Sequence, residues 1–281
     1  MRRSLKWLAL MVATAGPAYA GDDRPAKKAP AAPARALIDL KKLAQVLESG
    51  TEAEILAALS ELSAQGPSAA SAAPLVNGLL VRGSTGKVVI AALEAVAAFG
   101  AESSSDPVAP YVQHRRPEIR QAAASALIRT KGPIAVRALR RALKSPDPKV
   151  RQIAASGLGA LNAAEAVDDL FAALGDETGT APKSIAAMCN PTQCDRLMEY
   201  VGKLPFEFLE PCFVTLILRP SGLPDINKLR YIDRLRKLAT KSSTNVLQTA
   251  LADLPANANP KVKEALETAL KGRPVKLEEG K

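Results

Sequence analysis

Apolar residues along this chain recur every three to four positions, the period of an α-helix with one buried face, rather than alternating as in a half-buried strand. In residues 133–143, Ile134, Ala135, Ala138, Leu139, Ala142 and Leu143 mark one such face. Pro133 stands there in the first turn, where its missing N–H costs nothing. Later stretches over 192–203, 206–219, 224–240, 243–254 and 260–271 carry the same pattern and are divided by Pro205, Pro220, Pro224, Pro255 and Pro260. Ala and Leu, strong helix formers, dominate the apolar residues, and aromatics make up only 4%. The pattern predicts an all-α fold.

The helical segments repeat. Residues 117–127, which run Pro-Glu-Ile-Arg-Gln-Ala-Ala-Ala-Ser-Ala-Leu, return 31 positions later as Pro-Lys-Val-Arg-Gln-Ile-Ala-Ala-Ser-Gly-Leu at 148–158. The same offset backwards reaches 86–96, which keeps the apolar pattern without the proline and arginine, and a weaker copy begins near Glu52. Each copy is followed by a second apolar-periodic stretch, at 69–80, 105–113, 133–143 and 164–174. These second stretches also keep register, since Val167, Leu170 and Leu174 stand 31 positions after Val136, Leu139 and Leu143. The unit is therefore a helical hairpin. One hairpin cannot bury such a face alone, and stacked neighbours can.

The stretch Asp147-Pro148-Lys149-Val150-Arg151-Gln152-Ile153-Ala154-Ala155-Ser156-Gly157-Leu158-Gly159-Ala160-Leu161 resembles the short HEAT repeat of the type also found in phycobilisome-lyase-like proteins. The resemblance is strongest over 114–175 and recognisable over 50–113. It implies a right-handed α-solenoid of HEAT-like hairpins whose second helices line a concave face, in a family that mostly scaffolds and binds. It carries no lyase activity over, since no cofactor-handling motif accompanies the repeats. Beyond Gly175 the register fails, and residues 176–271 read as degenerate helical repeats or a capping helical region, with a separate C-terminal domain as the alternative. Residues 272–281 are a charged tail.

The chain opens on a pattern of export. Arg2, Arg3 and Lys6 precede an apolar stretch from Trp7 to Ala15, and Ala18-Tyr19-Ala20 offers a small-x-small cleavage site after Ala20. The expectation is a periplasmic or secreted protein with no transmembrane anchor in the mature chain, because no second long apolar run follows. Residues 21–35 hold three prolines and no bulky apolar side chain, as a Pro/Ala/Lys linker would. Removing residues 1–20 leaves 35 basic against 28 acidic residues, a net +7. In an exported protein that balance points to an acidic protein or an anionic envelope surface, lipid headgroup or polysaccharide, rather than to nucleic acid.

Export also permits oxidation. Among Cys189, Cys194 and Cys212, a Cys189–Cys194 bridge would close a short turn. A Cys194–Cys212 bridge would instead need 192–203 and the following helix to form an antiparallel hairpin. No zinc-like spacing occurs, and the single histidine, His114, is remote from the cysteines. His114 reads as a junction residue before the third repeat, and Gly83-Ser84-Thr85-Gly86-Lys87 reads as the turn before a helix, since it lacks the Ser or Thr a phosphate loop places after the lysine. Asp168 and Asp169 point about 100° apart on one helix and make a poor acid/base pair, but they suit an ion-pair ladder between neighbouring helices. No catalytic residue, metal or cofactor is expected.

Two basic stripes remain as candidate binding residues. Arg137, Arg140, Arg141 and Lys144 stand opposite the apolar face of the second helix of the third repeat. Arg230, Arg234, Lys237 and Lys241 follow i, i+4, i+7 and i+11 on the segment 224–241. Without interleaved aromatics neither suits single-stranded nucleic acid. The function expected is an exported scaffold presenting a helical groove to a protein partner.

Overall fold

The structure, a computed structural model, describes residues 38–176, 178–275 and 277. The export segment 1–20 and the linker 21–35 lie outside the described residues, as do Lys276 and the last four residues of the tail. Among the described residues a first helix, α1 (Leu40–Ser49), precedes seven hairpins. These pair α2 (Glu52–Gln65) with α3 (Ala73–Arg82), α4 (Gly86–Phe99) with α5 (Ser105–Val108), and α6 (Pro117–Thr130) with α7 (Gly132–Ala142). The next are α8 (Pro148–Ala160) with α9 (Val167–Ala173) and α10 (Ala181–Met188) with α11 (Pro191–Met198). The last are α12 (Phe206–Leu218) with α13 (Asp225–Leu238) and α14 (Lys241–Ala252) with α15 (Pro260–Leu270).

The first helices of the hairpins, α2, α4, α6, α8, α10, α12 and α14, pack one on the next in a single unbroken row. The second helices form a parallel row, in which α1 packs on α3, α3 on α5, α5 on α7, α11 on α13 and α13 on α15. This is an all-α solenoid. Its core repeats with the sequence: Ile119, Ala123, Ala124 and Leu127 of α6 and their counterparts Val150, Ala154, Ala155 and Leu158 of α8 are all at most 1% exposed. Burying a Leu or Ile in this way is worth about 1.5–3 kcal/mol, and the alanines between them let the helices approach closely.

Helix starts are written into the sequence. Thr51 with Glu54, and Asn190 with Gln193, form reciprocal capping boxes, Asp147 caps α8 through the Lys149 N–H, and proline opens α6, α8, α11 and α15. The segment expected as one helix over 105–113 divides instead into α5 and a 3₁₀ stretch, Ala109–Gln113. Pro110 has no N–H to continue the α-helical ladder, so the chain tightens at that point.

The row of first helices continues where the 31-residue register fails. Residues 181–188, which show no clear repeat signal, form α10, and α10 packs between α8 and α12. Residues 176–271 therefore extend the same two rows, and no separate C-terminal fold forms among the described residues. Helix α10 sits so close to α8 that a Cβ on Gly159 would stand 2.6 Å from Ser184 Oγ and 3.2 Å from Ser184 Cα. Pairing α10 with α11, rather than α11 with α12, also removes the hairpin that a Cys194–Cys212 bridge would require.

The repeated arginine has one geometry in both strong repeats. Arg120 Nη1 donates to the carbonyls of His114 and Arg115 at 2.9 and 3.0 Å, and Arg151 Nη1 donates to those of Ser145 and Pro146 at 3.0 and 3.4 Å. Each thus seals the loop that leads into its own helix. The other side of each guanidinium reaches the next repeat, Arg120 towards Asp147 at 3.9 Å and Arg151 towards the Asp176 carbonyl at 3.5 Å. Asp147 also accepts from Gln121 Nε2 at 2.8 Å, and that bond, with those from the α8 backbone and the charge of Arg120, holds its carboxyl below the usual range against the opposing effect of burial.

Candidate binding groove

The first basic stripe lies on the outer side of α7 because the opposite side, Ala135, Ala138, Leu139 and Ala142, is buried against the first-helix row. All four cations, Arg137, Arg140, Arg141 and Lys144, line one open concavity of about 470 Å³. Its other walls are Asp106 of α5, Ala109 of the 3₁₀ stretch, Ile134 at the start of α7 and Asp169 of α9. Arg140 is ion-paired to Asp169 through its Nε. Arg137, Arg141 and Lys144 are exposed and make no ion pair among the described residues. The negative end of the helix dipole favours Arg140, Arg141 and Lys144 in and after the last turn. It does not account for Arg137, one turn earlier than Arg140 and Arg141, and like charges at i, i+4 cost about 0.2–0.5 kcal/mol each.

The second stripe is different in kind. Arg230, Arg234 and Lys237 line a concavity of about 600 Å³ in which Asp195, Glu199 and Asp233 supply as many carboxylates. Arg230 Nη2 pairs with Asp195 at 3.2 Å, and Lys237 Nζ with Asp233 at 2.8 Å. Leu277, in the tail, lies against the same residues. Lys241 does not belong to this stripe. Helix α13 ends at Leu238 with Ala239 in the left-handed region (φ +50°), and Thr240 caps a new helix whose first residue is Lys241. The helix inferred over 224–241 is thus two elements, and the i+11 position falls on α14.

Asp168 and Asp169 do join neighbouring helices. Asp169 takes Arg140 of α7, and Asp168 takes Arg196 of α11 at 3.2 Å. Next along, Asp195 of α11 takes Arg230 of α13. The Arg196 guanidinium also lies 4.2 Å from the centre of the Phe171 ring. The result is a ladder of ion pairs across four successive second helices. Asp195 is its busiest rung, accepting from Tyr231 Oη at 2.6 Å and Asn227 Nδ2 at 3.3 Å as well. Burial first, and then the hydrogen bond to Asp195, pushes the Tyr231 phenol up.

Other candidate residues have structural settings. His114 Nδ1 accepts the Arg116 N–H at 3.1 Å, which shapes the turn into α6. Thr85 donates to Glu52 at 2.8 Å in the turn before α4, and the Gly86 Cα faces Arg116 so closely that a Cβ there would meet Nη1 at 2.2 Å. Cys189 and Cys194 are bonded across a Cα–Cα distance of 5.3 Å, and Cys212 is a buried free thiol raised by that burial. Arg219 Nη1 donates to the Cys189 carbonyl at 2.6 Å, fastening α12 to the bridged turn. Among the described residues no three metal-ligating side chains cluster, and no helix is long and apolar enough to cross a membrane.

The family described as HEAT repeats matches this chain over residues 72–147 and 136–205. Residues 72–205 are HEAT repeats. They span α3 to α11, and so contain the α7 groove and three of the four helices of the ladder. Among solved structures, the complex of CpcE and CpcF of phycocyanin lyase from Nostoc sp. PCC7120 is similar at 13% identity and a TM-score of 0.46, covering 88% of this chain and 99% of that one. A designed armadillo repeat protein is similar at 16% identity and a TM-score of 0.42, covering 83% and 99%. No curated protein matches. Helical hairpins continue beyond the matched span, since α12 to α15 extend both rows.

Proposed function

We propose that this protein is an exported scaffold that binds a protein partner along its row of second helices, with the contact centred on α7. One observation carries the reading: Arg137, Arg141 and Lys144 make no ion pair among the described residues and share their concavity with only Asp106 and the Arg140-bound Asp169, whereas the cations of the α13 stripe are largely matched by carboxylates. A stacked-hairpin framework suits this role, because it holds side chains from successive helices at fixed spacing over an extended surface. Export is supported by the charged, apolar and small-residue pattern of residues 1–20 and by the Cys189–Cys194 bridge, which persists in oxidising compartments. The reading assigns no catalytic step to the chain.

Attachment to an anionic envelope surface is the competing account, and the net +7 of residues 21–281 favours it. The two differ in salt response. Binding spread over phosphate or sugar headgroups fades between about 0.05 and 0.3 M salt as the Debye length contracts, while a groove contact with an apolar component persists. The deciding experiment is capture from envelope extract at both ionic strengths, with the chain lacking residues 1–20 and with its Arg137→Glu, Arg141→Glu, Lys144→Glu variant. The expected result is a salt-resistant partner captured by the first and lost by the second. An identical set of captured proteins would overturn the reading.

A further inference from the structure

The α7 cations stand on one helix in fixed register, and their spacing limits what can meet all of them together. At a rise of about 1.5 Å per residue, Arg141 lies about 6 Å beyond Arg137 along the axis and Lys144 about 4.5 Å beyond Arg141. An extended peptide lying along the groove repeats its same-side residues every ~6.8 Å, so it drifts out of step by the third cation. A second helix does not drift, since its own carboxylates can be set at the same turns. Ile134, half-buried one turn before Arg137, and Ala109 on the facing wall add an apolar patch at one end of the stripe.

We infer that the α7 groove takes an acidic helix of the partner, with carboxylates at i, i+3 or i+4, and i+7 and an apolar residue one turn beyond them. This deepens the scaffold reading and rests on it. The ladder fixes where such a helix can engage. Asp169 already holds Arg140, Asp168 holds Arg196 and Asp195 holds Arg230, so Arg196 and Arg230, further along the row, are met from within. Arg137, Arg141 and Lys144 share α7 with the first rung, and on the α5 side they face one carboxylate, Asp106. An incoming acidic helix supplies the counter-charges that this end of the row lacks, in the place that the next rung would occupy.

The test uses the chain without residues 1–20 and two fluorescent alanine-based peptides of identical composition. One carries Glu at i, i+4 and i+7 with Leu one turn away, and the other carries its Glu residues at alternate positions. Vesicles containing phosphatidylglycerol form a third arm. The expected result is binding of the first peptide, roughly tenfold weaker binding of its isomer, and a roughly tenfold loss with Arg137→Gln, Arg141→Gln, Lys144→Gln, since three exposed ion pairs are individually weak and act together. The pair Arg234→Gln, Lys241→Gln should leave binding unchanged, and thermal unfolding of both variants should match the parent. Equal binding of the two isomers, or vesicle binding that depends on α7 while neither peptide binds, would overturn the acidic-helix inference. The scaffold reading fails separately, if the α7 variant captures the same proteins as the parent.

Discussion

Removing the carboxylate of Asp195 should loosen the junction between α11 and α13. Asp195→Ala deletes the acceptor for Tyr231 Oη, Asn227 Nδ2 and Arg230 Nη2 in one step. The three losses are unequal. Arg230 and Asp195 are each nearly half exposed, at 48% and 44%, so their ion pair is worth at most about 1 kcal/mol. Tyr231 and Asn227 are 3% and 4% exposed, and their donors would be left in a site that water reaches poorly. A hydrogen bond to a charged acceptor is worth about 1.5–3 kcal/mol, and a longer one from an amide donor about 0.5–1 kcal/mol. Solvent entering the gap left by a half-exposed side chain recovers part of this, so the expected loss is about 2–3 kcal/mol. At about 2–4 °C per kcal/mol for a domain of this size, the Tm falls by roughly 4–12 °C. Unfolding in a repeat array is not strictly two-state, so urea titration should be paired with amide hydrogen exchange. Exchange should quicken in α11 to α13 before α4 to α6. Asp195→Asn, which keeps an acceptor, should cost less, and adding Tyr231→Phe to Asp195→Ala should cost less than the sum of the two changes. A loss under about 0.5 kcal/mol, or strict additivity with Tyr231→Phe, would refute the role given to this rung.

Gly159→Ala gains about 1 kcal/mol of helix propensity but drives a methyl against Ser184, whose Cα is only 3.2 Å away. Overpacking of this kind costs about 1–3 kcal/mol, so a net loss is expected by urea titration, and a gain would mean that α10 shifts freely on α8. Ala239→Gly should stabilise by about 1 kcal/mol, because Ala239 sits at φ +50° where glycine has no Cβ penalty; a loss would contradict that strain. Asp147 and Asp233 are both held below the ordinary carboxylate range, Asp147 by the Gln121 bond and Asp233 by Lys237 and Arg236 against the larger opposing effect of burial. Their stabilising contribution is full above the unfolded value near ~3.9 and is lost as pH falls through the depressed folded values. The urea midpoint should therefore fall from pH 5 to pH 3, and Asp233→Asn should flatten that slope; an unchanged slope would refute its share. Under denaturing, non-reducing conditions one thiol, Cys212, should react, rising to three after reduction, while in the folded chain Cys212 should be inert. Three thiols without reductant, in protein from an oxidising compartment, would contradict the bridge.

The middle of the solenoid was legible because Pro117 and Pro148, with the arginines three positions on, mark the same turn twice. These residues act within a few positions of themselves, on loop carbonyls five and six residues back, so their signal is local. Helix α10 left no such mark. It has neither the repeated arginine nor the spacing, and it takes its place through contact with α8 and α12, which periodicity does not report. The end of α13 was misplaced because Ala239, a good helix former, occupies the left-handed position where Gly or Asn would have signalled a stop. The stripe on α7 could be read from its spacing alone. That Arg140 and Arg230 belong to rungs, and that Asp195 joins them, required the placement of helices some thirty residues apart in sequence.

The ladder has an effect on how this protein can change over evolutionary time. Solenoids commonly grow and shrink by duplicating or losing a hairpin, because one repeat meets its neighbours much as another does. Here the rungs from α7 to α13 are written in a fixed order, arginine to aspartate, then aspartate to arginine twice. Deleting the hairpin of α8 and α9 would bring Arg140 up against a helix whose adjacent Asp195 and Arg196 are spaced for other partners. The C-terminal half therefore behaves as a sentence rather than a string of interchangeable words, and lineages of this protein should vary in length at the N-terminal hairpins, where no rung is cut.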